Sequence, residues 1–197
     1  MDEPGTGRLE TFSDGVFAIA ATLLVLEFSV TSGRDLGHEL LHIWPAYLAY
    51  VTSFLTIGII WMNHHHTVSF IGRVDRTFLF VNNLLLLTVA FLPFPTELVG
   101  KNLRGPGEEA AALAYAGTLV MMAILHQVWW QYARRNRRLI ADAAHDSALS
   151  AVDRAYWPGV PMYATVFGVA FFSPLAAVVV TFAIAAFYLP SAALFDR

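Results

Sequence analysis

The sequence predicts an all-α, polytopic membrane protein with six transmembrane helices. Of its 197 residues, 57% are hydrophobic and only 14% are charged, and the mean hydropathy is +0.56. A soluble domain carries about a quarter charged residues. The apolar residues also cluster in stretches near the roughly 20 residues that a helix needs to cross about 30 Å of hydrocarbon. Composition and segment length therefore predict the same class of protein.

Six stretches in the chain are apolar enough to span. They cover about residues 12–30, 43–62, 77–99, 109–132, 156–172 and 174–195, within one transmembrane domain over 1–197. The first is interrupted only by Thr22, Glu27 and Ser29. In the third, FLPFP at residues 91–95 predicts a kink or the end of the helix, because proline removes a backbone donor. The fifth and sixth stretches share a very short joint at Ser173.

The connections between the spans predict the orientation. The longest follow the second span, from Asn63 to Arg76, and the fourth, where RRNRR occupies residues 134–138. With six spans the termini share a side with these two connections, and that side carries nine basic residues: Arg8, Arg73, Arg76, Arg134, Arg135, Arg137, Arg138, Arg154 and Arg197. The other side carries Arg34, Lys101 and Arg104. The positive-inside rule therefore predicts a cell-membrane protein with cytoplasmic termini.

Composition also excludes several kinds of function. The chain has no cysteine, which removes disulfides, thiolate metal sites and cysteine nucleophiles. Its net charge of −3 disfavours a nucleic-acid partner, which needs a basic face. No nucleophile–base pair, phosphate-binding loop or carboxylate pair is recognisable. We therefore expect no enzymatic activity, no cofactor and no small-molecule substrate beyond permeant cations.

A motif at the start of the first span points to a family. Residues from Arg8 to Ala18 match the pattern R-x-x-x-F-S-D-x-x-x-A. This pattern resembles the signature of the endolysosomal-type potassium channels, the transmembrane protein 175 family. Trp61-Met62-Asn63-His64 and FLPFPTEL at residues 91–98 extend the resemblance along the first hundred residues.

The resemblance implies a pore and an oligomer. In that family the first helix of each subunit lines a central pore, without a re-entrant filter of the TVGYG type, and four such helices are required. This chain has one signature, so the resemblance implies a homotetramer in membrane lipid that conducts K⁺. The pore positions that it implies are Ile19, Leu23 and Leu26, with Thr22 beside them. Rings of such side chains narrow a pore until it dewets, which makes a hydrophobic gate.

The same resemblance assigns an assembly role to a polar network at the cytoplasmic end of the first helix. Its members are Arg8, Phe12, Ser13, Asp14, Ala18, Trp61, Asn63 and His64. Charged groups at a membrane boundary pair with partners, so we expect Arg8 to pair with Asp14 and Ser13 to bond a residue of the second span. Ordinary interfacial capping is the alternative.

Other polar residues leave two further hypotheses open. The run His64-His65-His66 does not predict a metal site, because consecutive helical residues point about 100° apart; a membrane metalloenzyme is nevertheless one alternative. A proton-coupled secondary transporter or a proton-permeable leak is the other, using His64, Asn83 or Glu97. The polar groups at or inside the spans are Asn82, Asn83, Glu97, His126 and Gln127, and we expect them to join helices. Glu27 and Glu97 are expected near the outer mouth.

Overall fold

The computed structural model describes residues 6–28 and 36–194, and these residues form nine α-helices. The helices are α1 Gly7–Leu23, α2 Leu36–His42, α3 Trp44–Val68, α4 Arg76–Phe91, α5 Pro93–Asn102, α6 Glu108–Arg135, α7 Asp146–Tyr156, α8 Gly159–Ala170 and α9 Pro174–Leu194. Short 3₁₀ segments occupy Leu24–Glu27 and Arg137–Leu139. The all-α prediction is confirmed for this part of the chain.

Four helical segments in the described residues are long and apolar enough to cross a membrane. They are Gly7–Leu26, Trp44–Val68, Arg76–Asn102 and Glu108–Arg135. These segments correspond to the first four predicted spans. The third segment consists of α4 and α5, which meet at Leu92 and Pro93. The break predicted from FLPFP is thus confirmed.

The first helix begins earlier than predicted. It starts at Gly7 instead of Phe12 and tightens into the 3₁₀ segment after Leu23. The last two residues of the predicted span, Ser29 and Val30, lie outside the described residues.

The expected polar connection from Asn63 to Arg76 is wrong in its first half. Helix α3 continues through the histidine run and ends at Val68. His64 is 2% exposed and Thr67 is fully buried. These polar side chains can be buried because residues of other helices hydrogen-bond to them. The polarity of the segment does not indicate that its side chains are buried.

The segment predicted as the fifth span, residues 156–172, holds a shorter helix than expected. Helix α7 ends at Tyr156, and α8 begins at Gly159 after Pro158. With 12 residues, α8 is about 18 Å long, well short of a bilayer's roughly 30 Å of hydrocarbon. Helix α9 follows with 21 residues. The count of six spans therefore stays a prediction.

Helix α6 lies at the centre of the bundle. It packs against α4 and α5 on one side and against α8 and α9 on the other. Its side chains Leu119, Met122, Trp129 and Trp130 are at most 1% exposed. Helix α1 lies outside this group and packs on α3 and α4.

Two connections meet at one end of the bundle. Residues 70–72 follow α3, residues 139–141 follow α6, and we call their contact the clasp. Ile71 and Ile140 form an antiparallel bridge, and the amide of Gly72 donates to the carbonyl of Leu139 at 2.9 Å. A Cβ atom on Gly72 would lie 3.0 Å from the Cα of Ala141, so a side chain there would force the two connections a few tenths of an ångström apart. The second and fourth connections therefore share a side, as the order of the spans predicts.

Candidate functional site: the first helix and its hydrogen-bonded layer

Helix α1 has two distinct faces. Leu9, Ser13, Phe17 and Ala20 recur every three or four residues and are buried against α3 and α4. This spacing places them on one side of a helix. Among the described residues, nothing covers the opposite side to a comparable extent. Sequence periodicity thus divides α1 into a packed face and a free face.

The predicted pore residues all lie on the free face. Ile19 is 61% exposed, Leu23 41% and Leu26 73%. Thr22 is also exposed, and its hydroxyl donates to the carbonyl of Ile19 at 2.9 Å. We call Ile19, Leu23 and Leu26 the apolar stripe.

A buried hydrogen-bonded layer joins α1 to α3 and α4. The amide Nδ2 of Asn82 donates to Ser13 Oγ at 3.2 Å, and the ring of His64 bonds Asn82 Oδ1 at 2.9 Å through Nε2. Because an amide oxygen only accepts, His64 Nε2 is the donor. Ser13, His64 and Asn82 are at most 2% exposed. The layer thus links one residue from each of the first three spans.

Aromatic rings pack around this layer. The His64 ring stacks on Trp129 of α6, with 4.7 Å between centroids, and lies 5.5 Å from the ring of Phe17. Phe78 stacks on the same Trp129 at 5.0 Å. The layer is therefore enclosed by apolar rings, where hydrogen bonds are electrostatically stronger than in water.

The expected pairing of the motif residues is partly wrong. Asp14 Oδ1 accepts from Trp61 Nε1 at 2.8 Å, and no Arg8–Asp14 pair forms among the described residues. Ser13 bonds Asn82 of the third span, and Asn82 in turn bonds His64 of the second. Spacing along one helix cannot indicate which neighbouring helix supplies a partner.

The remaining motif residues lie around the layer without joining it. Arg8, Phe12 and Ala18 are exposed on α1. The Asn63 backbone carbonyl accepts from the hydroxyls of Tyr156 at 2.9 Å and Thr67 at 2.7 Å.

Sequence reasoning missed a carboxylate that joins the second and fourth connections. Asp75 accepts from the Phe78 amide at 2.8 Å, from the Tyr132 hydroxyl at 2.9 Å and from Arg138 at 2.8 Å. Partial burial alone would raise the pKa of Asp75, but these three donors together hold it below its ordinary value. An aspartate immediately before an apolar helical run is an N-cap signal, and it could have identified this residue.

The basic run after α6 also has acidic partners. Arg137 pairs with Asp146 at 2.6 Å, and Arg134 Nε lies 3.2 Å from Asp153 Oδ2. Asp153 also accepts from Trp130 Nε1 at 2.7 Å. These contacts hold α7 against the end of α6.

The other titratable candidates do not form a site. His65 stacks on Trp61 at 6.0 Å, and within the described ranges no three His, Cys, Asp or Glu residues are placed to hold a metal ion. Glu97 is paired with Lys101 one turn later. Asn83 is exposed, unlike Asn82. The side chain of Glu27 lies outside the described residues.

Comparisons with known proteins agree with this architecture. Residues 8–93 match the family model described as "Endosomal/lysosomal potassium channel TMEM175". A potassium channel of Chamaesiphon minutus is 40% identical over 192 residues, covering 95% of each chain. The human endosomal/lysosomal proton channel TMEM175 is 31% identical over 132 residues, which are 61% of this chain and 26% of the human protein.

A solved structure matches most of the fold. The crystal structure of a lysosomal potassium-selective channel TMEM175 homologue from Chamaesiphon minutus superposes with a TM-score of 0.86 at 38% identity. The match covers 95% of this chain and 97% of that one. On this likeness in sequence and fold, the chain belongs to the TMEM175 family of membrane channels.

Proposed function

We propose that this protein is a potassium channel whose pore is lined by α1 from four copies of the chain. The observation that carries the proposal is the apolar stripe, which lies opposite the packed face of α1. Relatives named potassium channels, with matching length and fold, support K⁺ as the permeant ion.

The stripe has the chemistry of a hydrophobic gate. Four copies of Ile19, Leu23 or Leu26 around an axis form apolar rings, and a narrow apolar ring excludes water and therefore hydrated ions. Potassium loses its hydration shell at a lower cost than the smaller sodium ion, which favours K⁺ where the ring widens. Thr22 adds a hydroxyl beside the rings.

The proposal requires an oligomer. A single α1 cannot enclose a pore, and its free face exposes large apolar side chains, among them the three of the apolar stripe. A homotetramer places these faces toward one axis. In this tetramer, the hydrogen-bonded layer of Ser13, His64 and Asn82 fixes each α1 to the rest of its own subunit.

The proposed orientation has cytoplasmic termini. The clasp brings the arginine-bearing second and fourth connections to the same end of the bundle. Positive charge at one end supports placing that end in the cytoplasm.

Proton permeation is the second candidate, because the human relative is named a proton channel. The same assembly could serve either ion. Liposomes loaded with K⁺ and a pH-sensitive dye separate the two. A potassium pathway acidifies the lumen only when a protonophore is added, whereas a proton pathway acidifies it only when a potassium carrier sets the membrane potential.

Flux through purified protein tests the main proposal. Reconstituted protein should dissipate a potassium gradient, and Leu23→Ala should raise the rate by widening a ring. Leu87→Ala is the matched control, because Leu87 is 65% exposed on α4 and lies outside the apolar stripe. Absence of potassium flux from correctly assembled protein would exclude the channel.

Oligomeric state gives an independent test. Light scattering on the protein in detergent, corrected for bound detergent, should give the mass of four chains. A monomer or a dimer cannot form the proposed pore.

A further inference from the structure

A second polar region lies on the far side of α3 from the pore helix. It is a cavity of about 80 Å³ between α3, α6, α8 and α9. Its lining includes Asn63, Met122, His126, Gln127, Gly159 and Tyr163. None of these residues belongs to the apolar stripe or to the hydrogen-bonded layer.

Two polar atoms at this cavity lack a protein partner. Among the described residues, His126 Nε2 and Gln127 Oε1 are buried and accept or donate no hydrogen bond. The His126 side chain is only 8% exposed, and its ring packs edge-on against Tyr156 with 4.8 Å between centroids. Leaving such atoms unpaired is costly, so native proteins satisfy them with protein groups or with water.

The cavity adjoins a groove at the polar end of α6. Gln127 lines it and also lines a neighbouring groove that contains Gln131, Tyr132, Arg135 and Asn136. This groove has a volume of about 340 Å³ and reaches the last turn of α6. Gln127 therefore lies where the cavity and the groove adjoin, next to His126 in the chain.

The size and polarity of the cavity select its occupant. One water molecule occupies about 30 Å³ in the liquid, so 80 Å³ accommodates two or three. An engineered apolar cavity that binds benzene is about 150 Å³, so an aromatic ligand would not fit. Bound water also needs two to four polar partners, and His126, Gln127, Tyr163 and Asn63 offer them.

We propose that this cavity is a binding site for a small cluster of water molecules, which hydrogen-bond to His126 Nε2 and Gln127 Oε1. The site is distinct from the pore. Through this site, water reaches His126 of α6, within the membrane-spanning part of the bundle and on the far side of α3 from α1.

Ring contacts connect the site with the pore helix. The His126 ring lies 6.0 Å from Trp129, which stacks on His64. His64 then bonds Asn82, which bonds Ser13 of α1. By bonding His126, the water cluster fixes the orientation of its ring. A continuous series of contacts then connects this ring with α1.

Radiolytic hydroxyl-radical footprinting tests for the water directly. Radicals formed from bound water oxidise a neighbouring methionine sulfur even when the side chain is closed to solvent. Met122 is 0% exposed but lines the cavity. We expect Met122 to be oxidised in the folded protein, with Met62, which does not line the cavity, as an internal reference.

A filling variant makes the test specific. Ala123 lines the cavity, so Ala123→Leu should reduce Met122 oxidation severalfold. Ala114→Leu, at an exposed position of the same helix, should leave it unchanged. If Ala123→Leu does not fold, Gly159→Ala replaces it, because a Cβ atom there meets nothing within 4 Å. Unoxidised Met122 in folded wild-type protein, or oxidation unaffected by filling, would overturn the proposal.

Thermal stability provides a second readout. If water bonds His126, then His126→Phe loses that bond and lowers the apparent Tm in detergent. If the cavity is dry, the same substitution removes an unpaired polar atom and raises the Tm, which would refute the site. Neither readout involves ion flux, so failure here leaves the channel proposal standing, and the reverse also holds.

Discussion

Trp61 donates its indole N–H to Asp14 across 2.8 Å, and this bond ties the end of α3 to α1. Both residues lie in motifs that resemble the family signature. From the sequence, however, we expected Arg8 to be the partner of Asp14. The bond connects a helix of the subunit body to the helix proposed to line the pore, and its removal gives the first prediction.

Trp61→Phe should weaken the attachment of α1. The substitution keeps an aromatic ring but removes the donor, and the loss should cost about 1 kcal/mol of stability. SDS titration of the protein in mixed micelles, followed by circular dichroism, measures the change. Asp14→Asn is the matched control, since its amide oxygen still accepts and the loss should be smaller. Equal stability of wild type and Trp61→Phe would show that the bond does not matter in the membrane-mimetic state.

Asn82→Leu should be among the most damaging single changes in α4. It leaves Ser13 and His64 buried without partners, at about 1 to 3 kcal/mol for each group. Asn83→Leu, one residue along and exposed, should change stability by no more than about 0.5 kcal/mol. The same SDS titration compares the two. Similar losses for both variants would mean that the buried layer contributes no more than an exposed amide.

Cysteine substitution should identify the pore face. The natural chain has no cysteine, so each introduced thiol is unique. Ile19→Cys and Leu26→Cys should lose most of their potassium flux after a water-soluble, charged thiol reagent is added, because a charged adduct obstructs the axis. Leu87→Cys on α4 should keep its flux. Insensitivity of both α1 variants, with labelling confirmed by mass spectrometry, would place the pore elsewhere.

Asp75 should contribute stability that depends on pH. Its pKa is lowered in the folded state, so its contribution is complete above the ordinary value of about 3.8 and is lost as the pH falls through the lower folded value. Asp75→Ala should therefore be destabilised by about 1 to 2 kcal/mol at neutral pH, with the deficit narrowing below about pH 4.

Asp75→Asn separates the causes of that effect. Asparagine can still cap α4 but cannot pair with Arg138, so its deficit at neutral pH should be smaller than that of the alanine variant. Melting curves at several pH values distinguish the three proteins. A deficit for Asp75→Ala that stays constant down to pH 2 would contradict the lowered pKa.

Sequence predicted most reliably the features that depend on one segment at a time. The first four spans follow from hydropathy, and the break near Pro93 follows from the missing backbone donor. The family resemblance singled out Ile19, Leu23 and Leu26, and all three are exposed on the free face. Helical spacing alone would not have distinguished them from lipid-facing side chains.

Features that depend on helix register were not predictable in the same way. Ser13 has suitable neighbours on two helices, and only packing decides that Asn82 bonds it directly. The histidine run looked like a connection because its residues are polar, yet Trp129 and Asn82 bury His64 within α3. The helix in the predicted fifth span likewise begins only after Pro158, and its 12 residues are fewer than hydropathy suggested.

The clasp at Gly72 and Ala141 has a mechanical consequence for the subunit. The clasp joins the chain after α3 to the chain after α6 and so limits the relative movement of α3, α4 and α6. We call these three helices the frame. Helix α1 is fastened to that frame along its length, by the hydrogen bonds of Ser13 and Asp14 and by the burial of Phe17, Ala20 and Leu24. A tilt of the frame therefore moves the apolar stripe with it, as one rigid body.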